Sequence, residues 1–263
     1  MKKVAVAVVL LVEMMFLAAG FTAGQDVLDF AMVQKAAEQG DAPAQYNVGL
    51  MYAKGQGVPK DEAMAVHWWT KAAEQGHDEA QFSLGNMFYY GLGVPKDLAK
   101  AAHWYEKAAE QGHAHAQHNL GAMYDHGRGV PKDEAKAVYW FEKAAEQGYA
   151  YAQCYLGDLY ENGRGVPKDE AKAVHWWIKA AERGEAEAQE NLGVLAKKGN
   201  ESAKNSLERL KILSFMYENG PDVPKSEAMA VRWWINNIEG RGVPEDWDKA
   251  MHWYEKVAEQ GHD

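Results

Sequence analysis

Between Asp41 and Gly184 the sequence repeats itself four times without a gap, in 36-residue blocks Asp41–Gly76, His77–Gly112, His113–Gly148 and Tyr149–Gly184. Each block closes with Lys-Ala-Ala-Glu and a glycine, and each carries Gly-Val-Pro-Lys-Asp at its middle: Gly57–Asp61, Gly93–Asp97, Gly129–Asp133 and Gly165–Asp169. A fixed period of this length means one supersecondary unit stacked on copies of itself. No other feature of the chain restricts its fold as tightly.

One block resolves into two helices. In the third, Ala116, Leu120, Met123 and Tyr124 recur at helical spacing, which predicts a helix A over 114–126. Gly127-Arg128-Gly129 ends it, because glycine enters the left-handed cap conformation at little cost, and Val130-Pro131 turns the chain. Asp133 stands where an N-cap belongs, ahead of a helix B whose apolar face comprises Ala135, Val138, Trp140, Phe141, Ala144 and Ala145. Gly148 stops that helix. The alanines permit close helix approach, with the tryptophan filling the space between. A lone helix pair cannot bury both its apolar faces, so neighbouring pairs must supply the missing surface. The chain is predicted to be an all-α solenoid of antiparallel helix pairs.

The pattern Ala-x-Ala-Gln-x-x-Leu-Gly-x-x-Tyr, then Gly-x-Gly-Val-Pro-x-Asp, then Ala-x-x-Trp-Tyr-x-Lys-Ala-Ala resembles the Sel-1-like repeat, a relative of the tetratricopeptide repeat. The resemblance covers Asp41–Gly184 and, less regularly, the rest of the chain to Asp263. It implies a right-handed superhelix that binds proteins or peptides, often as an adaptor. Some cysteine-rich members of that family are described as β-lactamases or penicillin binders. Their paired cysteines are absent here, where Cys154 is the only cysteine. An enzyme acting on β-lactam or cell-wall substrates is therefore the second reading, behind a non-enzymatic scaffold.

The two ends depart from the pattern. Residues 25–40 hold only a helix B and read as an N-terminal cap helix. Beyond Gly184, Glu185–Gly199 keeps a helix A, but the glycine-rich loop is missing and Glu201–Tyr217 reads as one longer helix. Pro221–Ser226 and Gly240–Asp246 are worn turns, each followed by an aromatic helix B, so 185–263 reads as degenerate repeats and the whole chain as thirteen helices. The last of these has no obvious polar cap; its aromatic edge is either a contact surface or covered by the local irregularity. At the other end, Lys2-Lys3, the apolar run Val4–Val12 and the small residues Ala18, Ala19, Gly20, Thr22, Ala23 and Gly24 describe a secretory signal peptide over residues 1–24, cleaved near Gly24. Glu13 interrupts the apolar stretch at a cost of about 3 kcal/mol in a spanning helix, which argues against an anchor. No later stretch is long and apolar enough to span a membrane. Export to a periplasm or out of the cell is the expectation.

Candidate chemistry is sparse. A net charge of −10 argues against nucleic acid, which needs clustered Lys and Arg. The Gly-x-Gly loops join helix to helix and run into Val-Pro-Lys-Asp, so they read as turns and not as phosphate cradles. His67, His103, His175 and His252 recur at one repeat position and read as helix-surface residues. His115 and His118 sit three apart and are expected to titrate near pH 6–7; with Asp125 they have ligand types suited to zinc. His126, however, lies too far along the helix to complete that coordination sphere. Cys154, without a histidine–asparagine arrangement, reads as an inert or recognition thiol. No cofactor or metal is expected.

Variation within the repeat carries more information. The third, sixth, tenth and thirteenth positions of a block share one stripe of helix A, which by analogy with tetratricopeptide arrays lines the concave face. Along the stripe and beside it stand Tyr46, Leu50 and Lys54; Phe82, Asn86, Tyr89 and Tyr90; His115, His118, Asp125 and His126; Tyr151, Cys154, Asp158 and Glu161; then Glu187 and Glu190. It passes from aromatic through histidine-rich to acidic. Aromatic anchors and rim charges are what a protein-binding groove uses. Phe82 is left open between groove and packing, whereas Tyr90 and the acidic group are expected to be exposed. A protein or peptide partner follows, and inhibition of an exported toxin is a special case of it.

Overall fold

The computed structural model describes residues 25–208 and 210. The chain divides into two units, Met1–Val194 and Leu195–Asp263. The described helices are α1 Gln25–Glu38, α2 Ala42–Lys54, α3 Glu62–Glu74, α4 Asp78–Tyr90, α5 Leu98–Glu110, α6 Ala114–His126, α7 Glu134–Glu146, α8 Ala150–Asn162, α9 Glu170–Ala181 and α10 Ala186–Lys197. Among the described residues there is no strand. In the first unit α2–α3, α4–α5, α6–α7 and α8–α9 pack as antiparallel pairs, and each pair packs on the next through helix B to helix A. The first unit is thus an all-helical solenoid of consecutively packed helix pairs.

Each boundary has a local cause. Asp61, Asp97, Asp133 and Asp169 cap the B helices, their Oδ1 accepting from Met64, Lys100, Lys136 and Lys172 N–H at 2.9–3.0 Å. The N–H of each capping aspartate also donates back to the end of the preceding helix A, onto Tyr52, Phe88, Tyr124 and Tyr160 C=O at 2.9 Å. Asp41 caps α2 in the same way as the aspartates do. His77 and His113 do so for α4 and α6, each Nδ1 accepting the Ala80 or Ala116 N–H at 3.2–3.3 Å.

The core is built from alanines and one aromatic per block. Ala65, Ala72 and Ala73, and their counterparts in the later B helices, are buried. The aromatic that fills each repeat is the second of the helix-B pair: Trp69, Tyr105, Phe141 and Trp177. The sequence had pointed to the tryptophan before it. In the third block that residue, Trp140, is only half-buried, and Phe141 is the buried one. The ring needs room, and the glycine of Leu-Gly makes it. A Cβ on Gly85 would come 2.5 Å from Tyr105 Cδ1, and one on Gly157 2.5 Å from Trp177 Cδ1. Trp68 is also buried, in a cluster with Phe30 and Ala37 of α1, which seals the first repeat.

A polar ladder accompanies this core. Gln45, Gln81, Gln117 and Gln153 are buried, and their Nε2 groups donate to Ala37, Ala73, Ala109 and Ala145 C=O at 3.0–3.1 Å. Gln75, Gln111 and Gln147 then donate to the Oε1 of the first three at 2.7 Å. The fourth rung fails because position 183 is Arg, and Gln153 Oε1 is buried without a partner. The recurrence of Ala-Gln was visible in the sequence; its role as an inter-repeat tie was not.

In the second unit, residues 201–208 are helical, and Asn200 Oδ1 accepts from Ala203 N–H at 2.8 Å. The expected signal peptide, most of the long helix to Tyr217, the two worn turns and the last aromatic helix lie outside the described residues, and with them the total of thirteen helices. No described helix is long and apolar enough to cross a membrane.

Candidate partner-binding face

The A helices place the variable stripe, and the structure separates its members sharply. Tyr90, His115, His126, Tyr151, Glu187, Glu190 and Lys54 are exposed, Tyr90 at 65% and Tyr151 at 58%. Tyr46, Phe82 and Tyr89 are half-buried and stack or lean on the next repeat. Tyr46 lies flat on His77 at 4.8 Å, and Phe82 lies flat on His113 at 4.5 Å. Phe82 therefore belongs to packing: the ring holds the histidine that caps the following helix A.

Five positions expected on the open face are turned inward. Leu50 is half-buried against the cluster of Trp69, Leu84 and Met87, because the first A helix has the second repeat beside it. Asn86 is half-buried and accepts the Tyr105 hydroxyl on Oδ1 at 2.6 Å. Asp125 is buried, 3% exposed, where Arg164 Nη1 donates to both of its oxygens at 3.1–3.2 Å and the Tyr155 hydroxyl donates to Oδ2 at 2.8 Å. Asp158 is half-buried and accepts from Trp177 Nε1 at 3.1 Å and Asn191 Nδ2 at 2.9 Å. Glu161 is half-buried and pairs with Lys168 at 3.4 Å. The carboxylates of Asp125 and Asp158 join their repeat to the next, whereas that of Glu161 ties its helix to the loop of its own repeat. The sequence reading missed the partners because Arg164 lies 39 residues from Asp125, one repeat and three residues further on. Arg128 reaches the Tyr89 hydroxyl across the same separation at 3.2 Å.

The histidine cluster is likewise rearranged. His118 sits among Phe141, Tyr149, Tyr151 and Tyr155, with centroids 5.2–6.5 Å away. Burial, with a smaller contribution from His115, pushes its pKa down to about 4, so it stays neutral at the pH 6–7 where titration was expected. Asp125 is held by Arg164 instead of completing a set with the histidines. Among the described residues no group of three or more His, Cys, Asp and Glu side chains is placed to hold a metal ion. Cys154 is buried, and burial with the fields of Asp158, Glu187 and Glu185 pushes its pKa up to about 12. The thiol is therefore inert, and its burial leaves it out of a partner's reach. His67, His103 and His175 lie exposed on the B helices, each edge-on to the following tryptophan at 5.3–5.5 Å.

Asp158 introduces a pH dependence. Burial, with Glu187 adding to it, pushes its pKa up to about 6, against the opposing Trp177 hydrogen bond and Arg164 charge. The folded chain therefore holds this proton to higher pH than the unfolded one, whose value is about 3.9. The associated stability is present below the unfolded value and is lost as pH rises through about 6. Asp158→Asn retains an acceptor oxygen for Trp177 and Asn191 without burying a charge. It is expected to gain about 1 kcal/mol at pH 8, after allowance for solvent screening, and nothing at about pH 4. Urea unfolding at the two pH values checks this, and an equal gain at both would refute it.

The comparisons agree with this geometry. The family described as Sel1 repeat matches residues 30–41, 42–77, 78–113, 114–149, 150–185, 212–235 and 238–262. A crystal structure of a Sel1 repeat protein from Oxalobacter formigenes is 37% identical, with a TM-score of 0.60, over 70% of this chain and 76% of that one. A protective antigen present in uropathogenic Escherichia coli strains, displaying an SLR fold, is 31% identical with a TM-score of 0.64. That match covers 90% of this chain, which spans 57% of the longer antigen. No curated protein matches the sequence significantly. With its repeats matched along most of its length and its helix pairs stacked as theirs are, the chain belongs to the Sel1 repeat family, whose helical scaffolds typically serve protein–protein interaction.

Proposed function

We propose that this chain is an exported, non-enzymatic scaffold that captures a segment of another protein along the groove face of its A helices. One observation carries the reading. The buried framework recurs every 36 residues, whereas two exposed A-helix positions change from repeat to repeat: Pro43, Glu79, His115 and Tyr151 at the third residue of the block, and Lys54, Tyr90, His126 and Asn162 at the fourteenth. Packing does not require those rings to be exposed, and exposed aromatics on a rigid frame are the residues that anchor protein partners. The basic start, apolar run and small-residue exit of residues 1–24 support export to the periplasm or beyond.

Crosslinking the tagged chain in the exported fraction, followed by mass spectrometry, is expected to recover a specific protein. The combined Tyr90→Ala and Tyr151→Ala variant is expected to reduce that recovery at least tenfold while melting as the parent does, since large interface aromatics contribute 2 kcal/mol or more at roughly that scale. Phe82 is unsuited to this test, because its removal would unseat His113. Undiminished capture by the folded double variant would rule out the groove.

A further inference from the structure

Cations cover aromatic rings in both helix series: B-helix lysines lie over rings of their own helix, and Lys96, Lys100, Lys136, Arg164 and Lys172, from loops and B helices, lie over Tyr89, Phe88, Tyr124, Tyr155 and Tyr160 of the A helices. Lys71 lies over Trp68, Lys143 over Tyr139 and Lys179 over Trp176, at 4.5, 5.8 and 4.9 Å from the ring centroids. A lysine one turn along the helix thus satisfies the negative face of each ring. Helices α4, α6 and α8 contain no lysine or arginine, and α10 has only Lys197 in its last turn. Among the described residues no cation lies over Tyr149 or Tyr151.

Those two rings are gathered, and carboxylates stand near them. Tyr149 lies 4.6 Å from His115 and 5.7 Å from Tyr151, whose ring is mostly open to solvent. Tyr149 occupies the first position of its block, where Asp41, His77 and His113 cap their helices, yet it makes no capping bond; its ring is committed to this cluster. Glu185 is close enough to act on the Tyr149 phenol, and Glu187 acts on Cys154, one turn along α8 from Tyr151. Glu187 and Glu190 are exposed, one turn apart on α10. The face is therefore aromatic and acidic; Arg183 lies beside Gly148, but no cation covers the two rings among the described residues.

We propose that the Tyr149–Tyr151 ring pair, with Glu187 and Glu190 on the next A helix, docks a lysine- or arginine-bearing segment of the partner protein. The cation lies over the rings and the carboxylates meet its charge. This rests on the A-helix face being the protein-binding surface. It goes further by fixing the sign of the partner's charge.

The full chain is titrated against a fluorescein-labelled 12-residue peptide of alternating arginine and glycine, and against the same peptide with glutamine or glutamate for arginine. Anisotropy is read at about 50 mM salt, where exposed charges are incompletely screened. The arginine peptide is expected to bind about tenfold tighter than the glutamine peptide, and the glutamate peptide not at all. Tyr151→Ala should weaken arginine-peptide binding roughly three- to tenfold and Tyr151→Phe should not, because the ring face is what acts. Glu187→Lys with Glu190→Lys should abolish binding, whereas Glu74→Lys with Glu110→Lys, the same charge change on exposed B-helix positions, should leave most of it. Equal binding of the arginine and glutamine peptides, or full affinity after the Glu187 and Glu190 reversals, would overturn the proposal. A partner protein held through Tyr90 and Tyr151 but indifferent to those reversals would overturn it too, and would leave the scaffold reading standing.

Discussion

Replacing Gly129 with alanine is expected to destabilise the array by about 3–5 kcal/mol, far more than the same change at Gly127, two residues earlier in the loop. Both glycines have positive φ, 65° at Gly127 and 73° at Gly129. An alanine at either position therefore bears the left-handed penalty of about 1 kcal/mol. The surroundings then separate them. A Cβ on Gly127 would meet only the Lys132 side chain and backbone at 3.3 Å and beyond, a contact a small shift relieves. On Gly129 it would run into the backbone carbonyl of Leu98 and stand 2.9 Å from Ala99 N, at the first turn of α5 in the preceding repeat. Neither group can move without disturbing the Asp97 cap. Gly165 repeats the arrangement against Glu134, so the loop glycine is the point where one repeat's turn seats on its neighbour's helix B. Thermal and urea unfolding of the two single variants checks this; equal losses at the two sites would refute it.

Arg164→Met is expected to cost about 2–4 kcal/mol, because it leaves the Asp125 carboxylate buried with only the Tyr155 hydroxyl and the more distant His126 beside it. The methionine keeps much of the stem that lies over Tyr155, so the loss reports on charge more than on packing. Adding Asp125→Asn to Arg164→Met is expected to recover about 1–2 kcal/mol, since a neutral amide no longer requires a cation. Urea unfolding at neutral pH gives both numbers. A double variant no more stable than Arg164→Met alone would show that the pair is not what ties repeats three and four together.

Local structure was legible in the sequence because its causes are local. The third block shows this: helix A was placed at 114–126 and is found at Ala114–His126, with Asp133 capping the helix that follows and Gly127 closing the one before. The resemblance to the Sel-1-like repeat, carried by motifs spaced every 36 residues, was equally available from residues alone, and the family match agrees with it. The candidate face was less legible. Asp125, Asp158 and Glu161 looked like a solvent-facing acidic series, because spacing along one helix shows which side chains share a stripe but not what later elements bring against it. Arg164, Trp177 and Lys168 supply that answer from later elements. Phe82 and Leu50 were taken up by neighbours in the same way.

The sequence by itself determined the period, the helix pairs, their caps and turns, and hence an all-helical stack, since each follows from contacts within a few residues or from copies of one unit. Tertiary structure alone decided which face stays open. Contacts with later elements, between residues 7 to 39 apart, withdrew Asn86, Asp125, Asp158 and Glu161 from solvent, and left Tyr90, His115, Tyr151, Glu187 and Glu190 exposed. Exposure depends on what a later helix or loop places over a side chain, and that neighbour is fixed by packing of the helix pairs and of the stack, not by position along one helix.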